Sequence, residues 1–150
     1  MSRLKELLQE KKCQSGVEEI VRSFQKTSRV SGSMNGKFKA CNEREQSIVI
    51  EFPVMEWQTN ENHTMHAGLI STAFDEAMGA FAAYLADGKP SVSINISLNY
   101  IKPIPMNDAI LITAKVTSLG RKFITLSGEC HLKSNGLLTN TALATFAIVG

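Results

Sequence analysis

Asp75 is the residue of this chain best placed to do chemistry. It lies within A-G-L-I-S-T-A-F-D-E-A-M-G, in the most apolar helix that the sequence suggests. A carboxylate there costs free energy unless it is paired, hydrogen-bonded or solvated. Its neighbours around a helix, Ser71, Thr72, Gly79, Ala82 and Ala86, are all small, so another molecule could approach it. Just upstream, His66, Ala67 and Gly68 would supply the first free backbone N–H groups of that helix. Such groups and the helix dipole favour negative charge, which a carbonyl oxygen gains during acyl transfer. An oxyanion site with a base two turns along hints at acyl-transfer chemistry. A helix-packing seam with a solvated aspartate gives the same pattern.

The helix itself reads as Leu69 to Leu85. At about 100° per residue, Ile70, Phe74, Ala77, Met78, Phe81 and Leu85 share one face, which makes a core stripe. Asp75 lies on the flank of that stripe. Before it, residues 3–12 read as a short charged helix, interrupted at Ser15-Gly16. A second amphipathic helix follows over Val17 to Lys26, through Val17, Ile20, Val21 and Phe24. Residues 1–29 are thus expected to form a helical arm without chemistry of its own, and residues 30–150 the working domain. Ser31-Gly32 and Asn35-Gly36 are turn signals. Phe38–Cys41 and Ser47–Val54 read as strands, with Pro53 at an edge or strand end.

After the helix, Asp87-Gly88-Lys89-Pro90 is a break. Val92, Ile94, Ile96, Leu98 and Tyr100 then alternate with Ser93, Asn95, Ser97 and Asn99. This predicts a strand with an apolar core face. Its other face is polar but uncharged, as suits a subunit interface or a site wall. Ile110–Ser118, Phe123–Leu132 and Leu137–Val149 complete the strands. The turns between them are L-G-R-K at Leu119–Lys122 and the hairpin signal Ser134-Asn135-Gly136. The expected fold class is α+β: one long helix against an antiparallel sheet of about six strands, the last four as a meander.

Length and composition suit that reading. A chain of 150 residues, 43% apolar and 20% charged, is that of one globular domain with a proper core. A net charge of +2 is too small to argue for nucleic acid or an acidic membrane surface. The N-terminal residues lack the apolar core of a secretory signal, and no apolar run suffices to span a bilayer. Cys13, Cys41 and Cys130 are odd in number and far apart, and fit reduced, buried or incidental thiols. A cytoplasmic protein is expected. His63-x-x-His66 with Asp75 has the makings of a two-histidine, one-carboxylate metal site, but nothing else in the sequence supports a metal. No Ser–His–Asp triad signature, glycine-rich phosphate loop or CxxC occurs.

With these residues in view, the chain resembles the hotdog-fold acyl-CoA thioesterases of the PaaI-like group, which includes the mammalian acyl-CoA thioesterase 13-type enzymes. The likeness runs from about Phe38 to the C-terminus. It rests on T-N-E-N-H-T-M-H-A-G at Thr59–Gly68, F-D-E-A-M-G at Phe74–Gly79, S-V-S-I-N-I-S-L-N-Y at Ser91–Tyr100, and the basic L-G-R-K turn. The resemblance implies a helix wrapped by a curved sheet and hydrolysis of acyl-CoA. Asp75 would be the base that activates water, or the nucleophile. The Ala67 N–H would hold the thioester oxygen, His66 would position that loop, and Asn60 would help orient substrate or water. Ser93 would be the partner of the acid across a subunit boundary. Gly68, Asn95, Tyr100, Lys102 and the turn Gly120-Arg121-Lys122 fall in regions that resemble substrate and coenzyme A contacts. At least a dimer is implied, often a tetramer, with no cofactor beyond the coenzyme A of the substrate. The family usually has His-Gly-Gly where this chain has His66-Ala67-Gly68. A backbone donor survives that exchange unless the position needs a positive φ.

The chemistry asks little more. An ordinary aspartate, with a pKa near about 3.9, is a weak base at neutral pH, and partial burial would bring it closer to use. A thiolate leaves without a strong general acid. The Met and Phe residues of the core could shape an acyl tunnel or simply pack. The rival reading is a non-catalytic acyl-CoA-binding module or sensor, in which the same pocket holds ligand without turnover. A hotdog dehydratase fits less well, since its usual His-and-acid spacing is not found on the helix.

Overall fold

The computed structural model describes residues 2–150. Helices α1 (Ser2–Leu7), α2 (Glu10–Thr27) and α3 (Arg29–Met34) lead into strands β1 (Lys37–Asn42) and β2 (Ser47–Pro53). The long helix α4 (Ala67–Leu85) follows, then β3 (Ser91–Tyr100), β4 (Ala109–Leu119), β5 (Phe123–Leu132) and β6 (Leu138–Ile148). The six strands make one antiparallel sheet, and α4 packs against β2 to β6. This is the expected α+β hotdog architecture. Among the described residues, no helix is long and apolar enough to cross a membrane.

The strand order is β1-β2-β4-β5-β6-β3, so the last four strands are not a simple meander. Only β4, β5 and β6 follow one another. β3 leaves α4 to pair with β6, and the segment 101–108 carries the chain back so that β4 pairs with β2. The consequence is that β3 is an edge strand, and one row of its backbone donors and acceptors is unpaired among the described residues.

The core stripe of α4 is as expected: Ile70, Phe74, Ala77, Met78, Phe81 and Leu85 are all buried. Phe74 and Met78 press on Gly128 of β5, where a methyl group would meet their side chains at 3.1 to 3.2 Å. Phe74 and Met78 are both fully buried and pack in the core. Ala82 and Ala86 are also fully buried. The open flank of α4 is therefore Ser71, Thr72, Asp75, Glu76, Gly79 and Ala83.

The helical arm departs from expectation at two turn signals. The break falls at Leu8-Gln9, and α2 runs without interruption through Ser15-Gly16. Gly16 is needed there because the Tyr84 ring of α4 lies where a Cβ would stand. The Tyr84 hydroxyl then donates to the Leu7 carbonyl at 2.6 Å, so the arm is tied to α4 at both helices. Ser31-Gly32 lies inside α3. The Ser28 side chain caps that helix and the left-handed Asn35 ends it.

The cysteines are also corrected. Cys13 of α2 and Cys41 of β1 form a disulfide, with Cα atoms 6.3 Å apart. They are separated in sequence, but α2 packs on β1. Separate thiols therefore no longer argue for a reducing compartment. Cys130 is a buried free thiol, its pKa pushed up to about 11 by burial.

Candidate active site

The segment before α4 is a tied loop. Thr59 bridges to Met65 and Thr64 to Pro105, and the Met65 N–H donates to Ile104 O at 2.9 Å. Asn60 builds this loop. Its Oδ1 accepts from the Asn62 N–H at 2.9 Å and from the Thr64 N–H and hydroxyl, each at 3.2 Å. Only its amide NH2 is left to meet a substrate, and Asn60 does not line the groove at Asp75.

His66 is the residue before the first turn of α4. Its N–H is spent on Gln58 O at 2.8 Å, and its carbonyl accepts from the N–H groups of Leu69 and Ile70, both at 3.0 Å. The expected trio of free donors is therefore a pair, Ala67 and Gly68. Both are exposed, and their N–H groups meet no acceptor among the described residues. Ala67 is not among the residues of positive φ, so alanine sits there without strain. A Cβ at Gly68 would meet nothing within 4 Å, which leaves the approach to this turn clear. Tyr100, at the end of β3, donates its hydroxyl to Ala67 O at 3.1 Å. It thus braces the helix start from the sheet.

Asp75 faces β3. With Ser71, Thr72 and Ser93 to Ile96 it lines an open groove of about 260 Å³. It also stands at the mouth of a second groove of about 550 Å³, between α4 and the start of β3. The carboxylate keeps access to solvent in the single chain. Even so, the packed flank of α4 strips enough water from it to raise its pKa above the ordinary aspartate value. Glu76 beside it is raised too, first by burial, with the Ser31 hydroxyl opposing and the Asp75 charge adding.

Ser93 reaches this groove by a route that strict alternation conceals. Ser93 pairs with Phe146, but Asn95 pairs with Thr145, so Ile94 is an extra residue in β3. Opposed residues share a face. Phe146 is buried in the core and so are Ala144 and Ala142, opposite Ile96 and Leu98. Ser93 therefore points to the α4 side together with Ile96, Leu98 and Tyr100. Asn95, Ser97 and Asn99 point outward, and so does Val92. A β-bulge re-aims one side chain in this way. The expectation that Ser93 shares a face with Asn95, and Val92 with Ile96, is thus overturned.

The remaining sequence candidates divide between two ends of the sheet. Tyr100 and Lys102 stand where β3 finishes. The turn Gly120-Arg121-Lys122 stands where it begins, because Phe123 and Val92 both pair with Ala147. That turn is closed by the Gly120 N–H on Phe123 O at 2.9 Å and by the Ile148 N–H on Lys122 O at 2.7 Å. Within one chain the two basic groups are about 30 Å apart, the length of β3. His63 and His66 are both exposed, and no cluster among the described residues could hold a metal ion.

Residues 62–139 match the family model of the thioesterase superfamily. The chain belongs to the thioesterase superfamily. Thioester hydrolysis is its chemistry at the level of the family. It is similar to human acyl-coenzyme A thioesterase 13, with 28% identity over 103 residues, which cover 69% of this chain and 74% of that one. Among solved structures it is similar to zebrafish thioesterase superfamily member 2, at 26% identity and a TM-score of 0.77 over 91% of this chain and 98% of the other. The E. coli PaaI protein of the phenylacetic acid degradation operon has the same fold, with 13% identity and a TM-score of 0.79 over 91% of this chain and 96% of that one.

Sequence reasoning passed over two residues of the grooves. Glu76 lies in F-D-E-A-M-G at Phe74–Gly79, and its signal is a second carboxylate on the same apolar helix. Phe24 belonged to an arm read as inert, and it enters the groove only because α2 docks on the domain.

Proposed function

We propose that this superfamily member hydrolyses acyl-CoA thioesters, with Asp75 as the base. Asp75 takes a proton from water. The hydroxide attacks the thioester carbon, the oxyanion forms against backbone N–H groups, and collapse expels the thiolate of coenzyme A, which regains a proton. The observation that carries this reading is the meeting of Asp75 with Ser93 across one groove, beside the small polar residues Ser71 and Thr72. A raised pKa makes Asp75 a better base than an ordinary aspartate. Ser93, turned inward by the bulge, orients the acid or its water. Ala67 and Gly68 offer the donors that an oxyanion requires. The names of the similar proteins agree with acyl-CoA as the substrate.

The donors and the base must come from two copies of the chain. Ala67 and Asp75 are eight residues apart on α4, about 12 Å along its axis, too far to serve one carbonyl. The free edge of β3 supplies the remedy. A second copy paired antiparallel along β3 about a two-fold axis sets its Tyr100 end, with the braced Ala67 turn, beside the Ser93 end of the first. It likewise brings Lys102 of one copy toward Arg121 and Lys122 of the other, where they would meet the phosphates of a single coenzyme A. Exposed Val92 and Ile94 on that edge suit such a contact. His66 and Asn60 shape the oxyanion loop, and Asn95 lies on the edge between copies. No cofactor enters this reaction.

The test is thiol release from short-chain, long-chain, phenylacetyl and hydroxybenzoyl-CoA by the wild type and by Asp75→Ala. Turnover that collapses in the variant while binding persists supports the proposal. Tight binding without turnover by the wild type on every member overturns it in favour of a binding module.

A further inference from the structure

We infer that Phe24 of the helical arm is the gate that sets how long an acyl chain this protein accepts. This rests on the proposed reaction, because the groove concerned opens at Asp75. The groove of about 550 Å³ runs from Asp75 between Gly79 and Ala83 of α4 and Ser91 to Ser93 of β3, over Phe146. All of its lining comes from the sheet, from α4 and from the loop between them, except Phe24 of α2.

Behind Phe24 is a second hollow, a narrow one of about 10 Å³ between the arm and the sheet, bounded by Val21, Ile50 and Phe52. The two spaces share only two residues, Phe24 and Glu76. Glu76 belongs to the helix that carries Asp75 and lines the hollow together with Ser31. Phe24 is half-buried, packed on the core at one side and facing the groove at the other. Its ring is therefore the removable part of the partition. With it in place the groove ends at the arm. With it shortened the groove gains the space the ring vacates and the hollow behind it, where Val21, Ile50 and Phe52 offer an apolar wall to methylene groups alongside Gln25, Ser31 and Glu76.

The arm is thus a ruler for substrate as well as a structural brace. Its register against α4 is fixed by the contact of Gly16 with Tyr84 and by the Tyr84–Leu7 hydrogen bond. The Cys13–Cys41 bond fixes α2 against β1. Phe24 cannot drift with the arm held at these points.

The experiment measures kcat/KM over a ladder of saturated acyl-CoAs from C4 to C16 for the full-length wild type, Phe24→Ala, Phe24→Leu and Phe24→Trp. Burying each additional methylene is worth about four-fold, so room for two more amounts to roughly sixteen-fold. Phe24→Ala is expected to move the optimum to longer chains and to raise the long-to-short ratio at least ten-fold. Phe24→Trp should shift that ratio the opposite way, with Phe24→Leu in between. Affinities of the matching S-alkyl-CoA thioethers, which cannot be hydrolysed, should shift in parallel. Thermal melts of each variant identify any that fail to fold, and Phe24→Leu and Phe24→Trp keep most of the buried ring volume. Hydrolysis with an unmoved chain-length profile in all folded variants overturns the inference and leaves the proposed function standing. Thioether affinities that shift in a protein with no turnover support the gate and sink the proposed function.

Discussion

Ser93 stands opposite Phe146, while its alternation partner Asn95 stands opposite Thr145, so one inserted residue, Ile94, decides which side chain of β3 faces Asp75. The bulge converts a polar residue of the outer face into part of the groove. We expect Ser93→Ala to lower kcat by roughly ten- to hundred-fold, the cost of a displaced catalytic group, with little change in Tm. Deleting Ile94 should do less damage. It leaves Ser93 opposite Phe146 and Asn95 opposite Thr145 in regular alternation, so Ser93 still faces Asp75 and Val92 still points outward. Steady-state kinetics of the two variants, with circular dichroism to confirm the sheet, checks this. Full activity in Ser93→Ala would show that the face of Ser93 is irrelevant.

The sequence told most where residue type and position agreed. The buried stripe of α4 from Ile70 to Leu85 was legible, because apolar residues recurring every 3.6 positions mark a helix with one buried face. Asp75 was legible because a carboxylate in that helix needs a reason. What could not be read were features set by contacts distant in sequence. The bulge at Ile94 depends on the register of β6. The continuity of α2 through Gly16 depends on the Tyr84 ring, and the Cys13–Cys41 pairing on how α2 lies on β1. Local rules took Gly16 for a breaker when it is a point of close approach. The edge position of β3 also lies beyond local pattern, since a strand between a helix and another strand gives no sign of its neighbours.

Asp75 is held in its native site with a raised pKa because burial disfavours its charge. The sign follows. Below the unfolded pKa, near about 3.9, the group is protonated in both states and costs nothing. As pH rises through the folded value the buried charge opposes folding. Asp75→Asn should therefore be slightly more stable than the wild type at pH 7, by ~1–2 °C in Tm, with the advantage gone near pH 3. The same variant should lose nearly all activity. In the wild type the acidic limb of kcat/KM should fall above the range of an ordinary aspartate. Melts at three pH values with a pH–rate profile test both, and a destabilised Asp75→Asn at pH 7 would refute the burial argument.

The disulfide closes a loop of sequence separation 28 between α2 and β1. On a chain-entropy basis its loss should cost ~3–4 kcal/mol, which for a chain of this length lowers Tm on the order of 10 °C. Cys13→Ser and reduction with dithiothreitol should give the same shift, and reduction should add nothing to the variant. Cys130 should resist alkylation in the native protein, since its thiol is buried and its pKa pushed up to about 11. Intact-mass analysis with and without denaturant reads both results. Three thiols labelled in native, unreduced protein would contradict the pairing.

Ala67 permits a direct test of the oxyanion donor and of the two-copy site. It is the first residue of α4, and His66 before it has φ −57° and ψ 136°. Proline is well tolerated at a first helical position, and extended backbone suits the residue before it. Ala67→Pro therefore deletes one N–H and little else, and kcat should fall by roughly 10²- to 10³-fold. Ala67→Gly, which keeps the N–H, should stay near wild type. Each of Ala67→Pro and Asp75→Asn should be nearly inactive alone. If one copy supplies the base and its partner the donor, a mixed dimer of the two variants has one intact site and one doubly damaged site. Unfolding and refolding an equimolar mixture should then restore about a quarter of wild-type activity, given random pairing of a two-fold dimer. Were Asp75 and Ala67 to act within a single chain, every site in the mixture would carry a lesion and no activity would return.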